Sequence, residues 1–147
     1  MNERPETKFS ILQNKLSFPV TAYVKENGFL GIVSYNDEDD SLFVSSKSAP
    51  DGPFSELLRG NIESMISKEA IEGMKRYAKN NNISFVFECV DMVHDPHIIE
   101  YPESRLYLLD IIYNEIPCRK YSFEQTCEVA DMFGLRHKER AAIIETW

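Results

Sequence analysis

Ile83-Ser84-Phe85-Val86-Phe87-Glu88-Cys89-Val90-Asp91 is the stretch from which the fold is read. β-Branched and aromatic residues fill it and no glycine or proline interrupts it, so it predicts a strand over 83–91. Alternation puts Phe85, Phe87 and Cys89 on one face, and Val86, Glu88 and Val90 on the other. Glu88 is therefore a carboxylate flanked by valines. A partly buried acid needs partners, unless its strand lies at a sheet edge.

Working outward, residues 20–25 (VTAYVK) read as a short strand, and 29–35 (FLGIVSY) with 41–47 (SLFVSSK) as a hairpin. Between the hairpin strands lies Asn36-Asp37-Glu38-Asp39-Asp40, an acidic turn without the ligand alternation, central Gly or distal Glu of a calcium loop. Residues 48–60, with Pro50, Asp51, Gly52 and Pro53, read as a long loop. Ile62, Met65, Ile66, Ala70, Met74 and Tyr77 then recur at helical spacing, with both methionines expected in the core, until Asn80-Asn81-Asn82 ends the run.

Beyond the opening stretch, Pro96 breaks the chain. Residues 98–101 read as a short strand and 105–113 (RLYLLDIIY) as a strongly apolar one. Ser122 is the expected N-cap of a second helix ending at Gly134, and residues 135–147 also read as helical. Antiparallel pairs with grouped helices predict an α+β domain, antiparallel sheets with packed helices.

The 147 residues suit one domain and carry 24 acidic against 16 basic side chains, a net charge of −8. That balance excludes a general nucleic-acid coat but not a local basic site. No apolar run approaches the ~20 residues of a membrane-spanning helix, and the first twenty residues hold no secretory apolar stretch. Three cysteines without paired spacing suit a reduced, cytoplasmic interior.

Several side chains are candidates for chemistry. Lys25-Glu26-Asn27-Gly28 sits between two expected strands, where a lysine beside a close-approaching glycine suits a nucleophile; a strand-end surface lysine is the alternative. Lys47 ends the hairpin and Lys8 follows Arg4-Pro5, each otherwise a surface residue. Arg105 and Tyr107 alternate with Leu106 and Leu108, as a solvent-facing row on a half-buried strand would. His94-Asp95-Pro96-His97 reads as a turn rather than a metal site, because Pro96 precludes a helical ligand pair. No Gly-rich phosphate loop, Ser-His-Asp motif or zinc spacing appears.

The order of these elements resembles one family. Arg4-Pro5-x-x-Lys8-Phe9 comes first, then Lys25-Glu26-Asn27-Gly28, Ser46-Lys47-Ser48, Phe87-Glu88-Cys89-Val90, Ile98-Ile99-Glu100-Tyr101 and Leu106-Tyr107-Leu108-Leu109-Asp110-Ile111. Over about residues 4–113 this is similar to the nucleotidyltransferase domain of ATP-dependent RNA ligases, in the branch of phage T4 RNA ligase 1 and fungal tRNA ligases. The resemblance implies a covalent nucleotidyltransferase fold. It makes Lys25 the nucleophile that takes AMP from ATP and Glu88 the acid that holds the ribose. Lys8 and Lys47 would lie near the triphosphate, with Glu26 and Gly28 of the nucleophile turn and Tyr107 completing the nucleotide site. It further implies magnesium and transfer of AMP to an RNA 5′-phosphate that a 3′-hydroxyl then displaces, as in RNA repair and tRNA splicing; no residue of this chain is assigned as a metal ligand. Oligomeric state is not implied.

Departures from the pattern shape a further expectation. Asn27 stands where Asp is usual, as in fungal tRNA ligases, and no E-G-[FV]-V strand, closing K-x-K or upstream R-G element is found. Residues 1–147 are thus expected to be a partial nucleotidyltransferase domain, inactive or nearly so alone in sealing RNA. Two alternatives stay open: another lysine nucleotidyltransferase, of DNA ligase or capping type, and a non-catalytic α+β interaction module.

Overall fold

The computed structural model describes residues 4–5, 8–95 and 101–146. Along the chain these form α1 (Phe9–Lys15), β1 (Val20–Tyr23), β2 (Phe29–Asn36), β3 (Ser41–Ser46), α2 (Pro53–Met65) and α3 (Lys68–Asn81). Then come β4 (Ile83–Val90), β5 (Arg105–Tyr113), α4 (Phe123–Met132), β6 (Arg136–His137) and β7 (Arg140–Ile144). Contacts divide the chain into two compact units, residues 1–25 with 139–147, and residues 26–138.

In the first unit β1 pairs antiparallel with β7, Val20 opposite Ile144, with an irregularity between Ala22 and Tyr23. The Val24 N–H donates to the Glu139 carbonyl at 2.9 Å. α1 buries none of its residues. The helix expected over 135–147 is not formed: its residues supply β6 and β7. Ala141-Ala142-Ile143-Ile144 suits either state locally, and pairing with a strand some 120 positions earlier decides the matter, which no short-range period reveals.

In the second unit the sheet order is β3-β2-β4-β5-β6. β2, β3, β4 and β5 pair antiparallel as expected, but β6 lies parallel to β5, with Tyr107 opposite Arg136. The predicted alternation of β4 holds: Phe85, Phe87 and Cys89 are fully buried, packed with Val33, Leu58, Met74 and Leu108. β4 is central, so Glu88 is not an edge residue. The β4–β5 register slips between Val86 and Phe87, passing over Leu109. That extra residue lets Leu106, Leu108 and Ile111 all reach the core despite the odd spacing.

The long loop is shorter than expected and the first helix is really two. Gly52 adopts φ 128°, a region open to glycine, and Pro53 starts α2. The chain is extended at Ile66, and Ser67 caps α3 by accepting the Ala70 N–H. Met74 is buried as expected, whereas Met65, at the break, is 41% exposed. α4 begins with the expected Ser122 cap, reinforced because the Gln125 side chain accepts the Ser122 N–H at 2.9 Å. The short strand expected at 98–101 falls largely outside the described residues, and Tyr101 itself lies outside the strands.

Candidate active site

The start of β2, beside the end of β4, gathers the chemistry in the second unit. Gly28 precedes β2 and lies so close to β4 that an added Cβ would sit 2.1 Å from the Cys89 carbonyl oxygen. Only a residue without a side chain permits this approach. It lets the Gly28 N–H donate to Glu88 Oε1 at 2.9 Å. Leu30 is opposite Glu88 on β2, and the Lys47 N–H donates to the Leu30 carbonyl at 3.1 Å, bringing the residue after β3 to the same end.

Gly28, Lys47 and Glu88 line one pocket of about 390 Å³, together with Phe29, Ser46 and Phe54. That volume is within the range of about 300–1,000 Å³ typical of small-molecule sites. Phe54, in the first turn of α2, packs against Phe29 with ring centroids 5.0 Å apart and tilted by 57°, and is 45% exposed, so the pocket has an aromatic wall beside a carboxylate and an ammonium. Ser55 holds the loop after β3 by accepting the Ser46 N–H and donating to the Ala49 carbonyl. Such a combination can hold a base, a sugar hydroxyl and a phosphate together.

The other sequence-predicted residues divide as follows. The Glu26 carboxylate accepts a hydrogen bond from the Tyr101 hydroxyl at 2.8 Å, so it is tied to the protein rather than turned to the pocket lining. Tyr107 stands directly opposite Glu88 on β5, but it is 5% exposed and its hydroxyl accepts from Arg105 Nη1 at 3.1 Å. The solvent-facing row expected for Arg105 and Tyr107 is therefore not formed, because Tyr107 is buried. Lys8 precedes α1, its carbonyl accepting the Ile11 and Leu12 N–H groups, and Lys25 ends the 1–25 segment; both belong to the first unit. Phe54 and Tyr101 were not singled out from the sequence. The start of α2 at Pro53 was hidden in the expected loop, and the Tyr101 partners lie 74 and 75 residues away.

A larger cavity, about 790 Å³, is bounded by Leu57, Asn61, Met65, Asp91 and His94. Burial would raise the Asp91 carboxyl, but hydrogen bonds from His94, Asn61 and Val93 outweigh it and hold it down at about 2. His94 Nδ1 lies 3.1 Å from Asp91 Oδ2, inside a turn as expected; Pro96 and His97 lie outside the described residues. Among the described residues no group of three His, Cys, Asp or Glu side chains could hold a metal. None of the helices is long and apolar enough to cross a membrane among those residues.

The same α+β fold occurs in a solved structure. The fold matches a protein of Aquifex aeolicus that carries a provisional assignment as an ATP-dependent DNA ligase, with a TM-score of 0.66 and 18% identity. The match covers 92% of this chain and 35% of that one, so the chain spans about a third of the length of its structural relative. No curated protein matches it. This is the fold of a ligase-type nucleotidyltransferase domain. The family model described as RNA ligase matches residues 1–147, and the chain belongs to that family.

Proposed function

We propose that the protein is an ATP-dependent RNA ligase whose Lys25 forms a covalent lysine–AMP intermediate. The amine must shed its proton before it attacks, since an ammonium has no lone pair. The Lys25 Nζ–phosphorus bond then forms, the bond from the α-phosphorus to the bridging oxygen breaks, and pyrophosphate leaves with the electron pair. An RNA 5′-phosphate next takes the AMP from lysine. A 3′-hydroxyl displaces AMP and closes the strand.

The observation that carries this reading is the convergence of Gly28, Lys47 and Glu88 on one pocket. These are three of the residues that the family resemblance assigns to the nucleotide, drawn from segments up to 60 positions apart. Glu88 has one oxygen committed to Gly28 and a second available for ribose hydroxyls. Lys47 opposes phosphate charge, as Lys8 does in the same reading. Phe54 offers the base a stacking surface. Magnesium belongs to the same reading, in which it would neutralise charge on the leaving pyrophosphate. RNA is the assigned acceptor because of the family match, and the reduced thiols suit a cytoplasmic setting.

The test is incubation with α-labelled ATP and magnesium. Acid-labile label on Lys25, lost in Lys25→Ala, is expected. No such label, or undiminished label in the variant, contradicts the proposal. Competition among RNA, nicked DNA and GTP separates it from a DNA ligase or capping enzyme.

A further inference from the structure

Residues 26–28 directly follow Lys25, and their backbone is held by two side chains from far along the chain. The Gly28 N–H donates to Glu88 Oε1 at 2.9 Å. The Asn27 N–H donates to the Tyr101 hydroxyl oxygen at 2.9 Å, and that hydroxyl donates to Glu26 Oε2 at 2.8 Å. Tyr101 thus closes a small loop, side chain of Glu26 to hydroxyl to main chain of Asn27, and so fixes a side-chain rotamer and a peptide orientation at once. Its single proton and an acceptor lone pair are both used. Burial, with the neighbouring charge of Glu26, pushes the phenol above its ordinary range, so at neutral pH it retains the proton this arrangement requires.

We propose that Tyr101 is a positioning residue for the nucleophile turn, acting through Glu26 and Asn27, and that Glu26 is its anchor rather than a nucleotide ligand. This rests on the reading of Lys25 as the nucleophile. Consecutive Cα atoms lie ~3.8 Å apart, so the freedom left at residues 26 and 27 passes straight to the Lys25 backbone. Attack at phosphorus requires the amine in line with the leaving oxygen, and a loosened turn spends time out of that geometry. Ground-state ATP binding, carried by the pocket, does not depend on it. A merely structural tyrosine would instead lower folding stability and ATP affinity together.

Two measurements test this, one independent of catalysis. In amide exchange followed by NMR, Tyr101→Phe speeds exchange at Asn27 by about tenfold, the loss of one hydrogen bond, while Gly28 keeps its protection. Unchanged Asn27 exchange overturns the clamp whatever the chemistry of Lys25. In single-turnover lysine–AMP formation, Tyr101→Phe lowers the maximal rate about tenfold with half-saturating ATP within about twofold. Glu26→Ala does the same, the double variant is no slower than either single, and Glu26→Gln, which keeps an acceptor, retains most of the rate. A rate within about twofold of the parent, a change in ATP saturation alone, or additive effects in the double variant overturns the proposal. Should Tyr101→Phe fail to fold, Glu26→Ala carries the same expectations. A parent that takes no label on Lys25 overturns the nucleotidyltransfer reading and the positioning role with it, whereas the exchange result still reports whether the clamp exists.

Discussion

Gly28→Ala puts the closest approach in the site to a quantitative test. The added methyl would lie 2.1 Å from the Cys89 oxygen and 2.6 Å from its carbonyl carbon, whereas real Cβ atoms essentially never come within 3.0 Å of such atoms. Both obstacles are backbone of the central strand β4, so no side chain can turn aside. The turn must withdraw by about 0.9 Å, which stretches the 2.9 Å bond to Glu88 past good geometry. Overpacking costs about 1–3 kcal/mol and a lost hydrogen bond to a charged group about 1.5 kcal/mol, so a destabilisation of about 2.5–4.5 kcal/mol follows. At about 3 °C per kcal/mol for a chain of this size, the melting midpoint drops by about 8–14 °C. Urea titration and thermal melting by circular dichroism measure it. Gly60→Ala is the control: its added methyl meets nothing within 4 Å inside α2, so it is expected neutral or stabilising by up to about 1 kcal/mol. A Gly28→Ala protein within about 0.5 kcal/mol of the parent would refute the close approach and the Glu88 contact built on it.

Three further outcomes follow from the same structure. Asp91 is held low at about 2, so its stabilisation is complete above the ordinary carboxylate range and lost as pH falls from about 4 towards 2; it amounts to about 2 kcal/mol, and Asp91→Asn should shrink the difference between stability at pH 7 and pH 2.5, a constant difference contradicting it. Burial, then the charges of Asp91, Asp95 and Glu88, pushes the fully buried Cys89 thiol up to about 12, so iodoacetamide at neutral pH should modify exposed Cys118 and spare Cys89 until urea is added; peptide mapping that finds native Cys89 alkylated as fast as Cys118 counts against this. Ser122→Ala removes the acceptor of the Gln125 N–H and should cost about 1 kcal/mol of stability by urea melt, an unchanged midpoint showing the cap to be idle.

The central strand and its neighbours were legible because their periods are local. Phe85, Phe87 and Cys89 turn inward as their alternation required, the Asn36–Asp40 turn joins the expected hairpin, and Ser122 caps α4. What stayed hidden depends on partners distant in sequence or on single-residue irregularities. Ile66 and Ala70 continue an apolar helical spacing, so the break between α2 and α3 shows only in the Ser67 cap. β7 forms because β1 is there to pair with it, and the burial of Tyr107 depends on packing that the alternation of residues 105–108 does not reveal. In the site, the residue types of Gly28, Lys47 and Glu88 were readable through an ordered set of motifs. The Tyr101 hydroxyl was not, since nothing in the spacing of residues 98–101 points back 75 positions to Glu26.

Mapping the lysine that carries AMP tests the central claim most directly. The protein is incubated with ATP and magnesium, quenched at alkaline pH where a phosphoramidate survives, digested and read by tandem mass spectrometry. Of the nine lysines, the account predicts the adduct on Lys25 alone, absent from Lys25→Ala and released by pyrophosphate. An adduct on Lys47 or any other lysine, or none on Lys25 in a protein that still seals RNA, would contradict it.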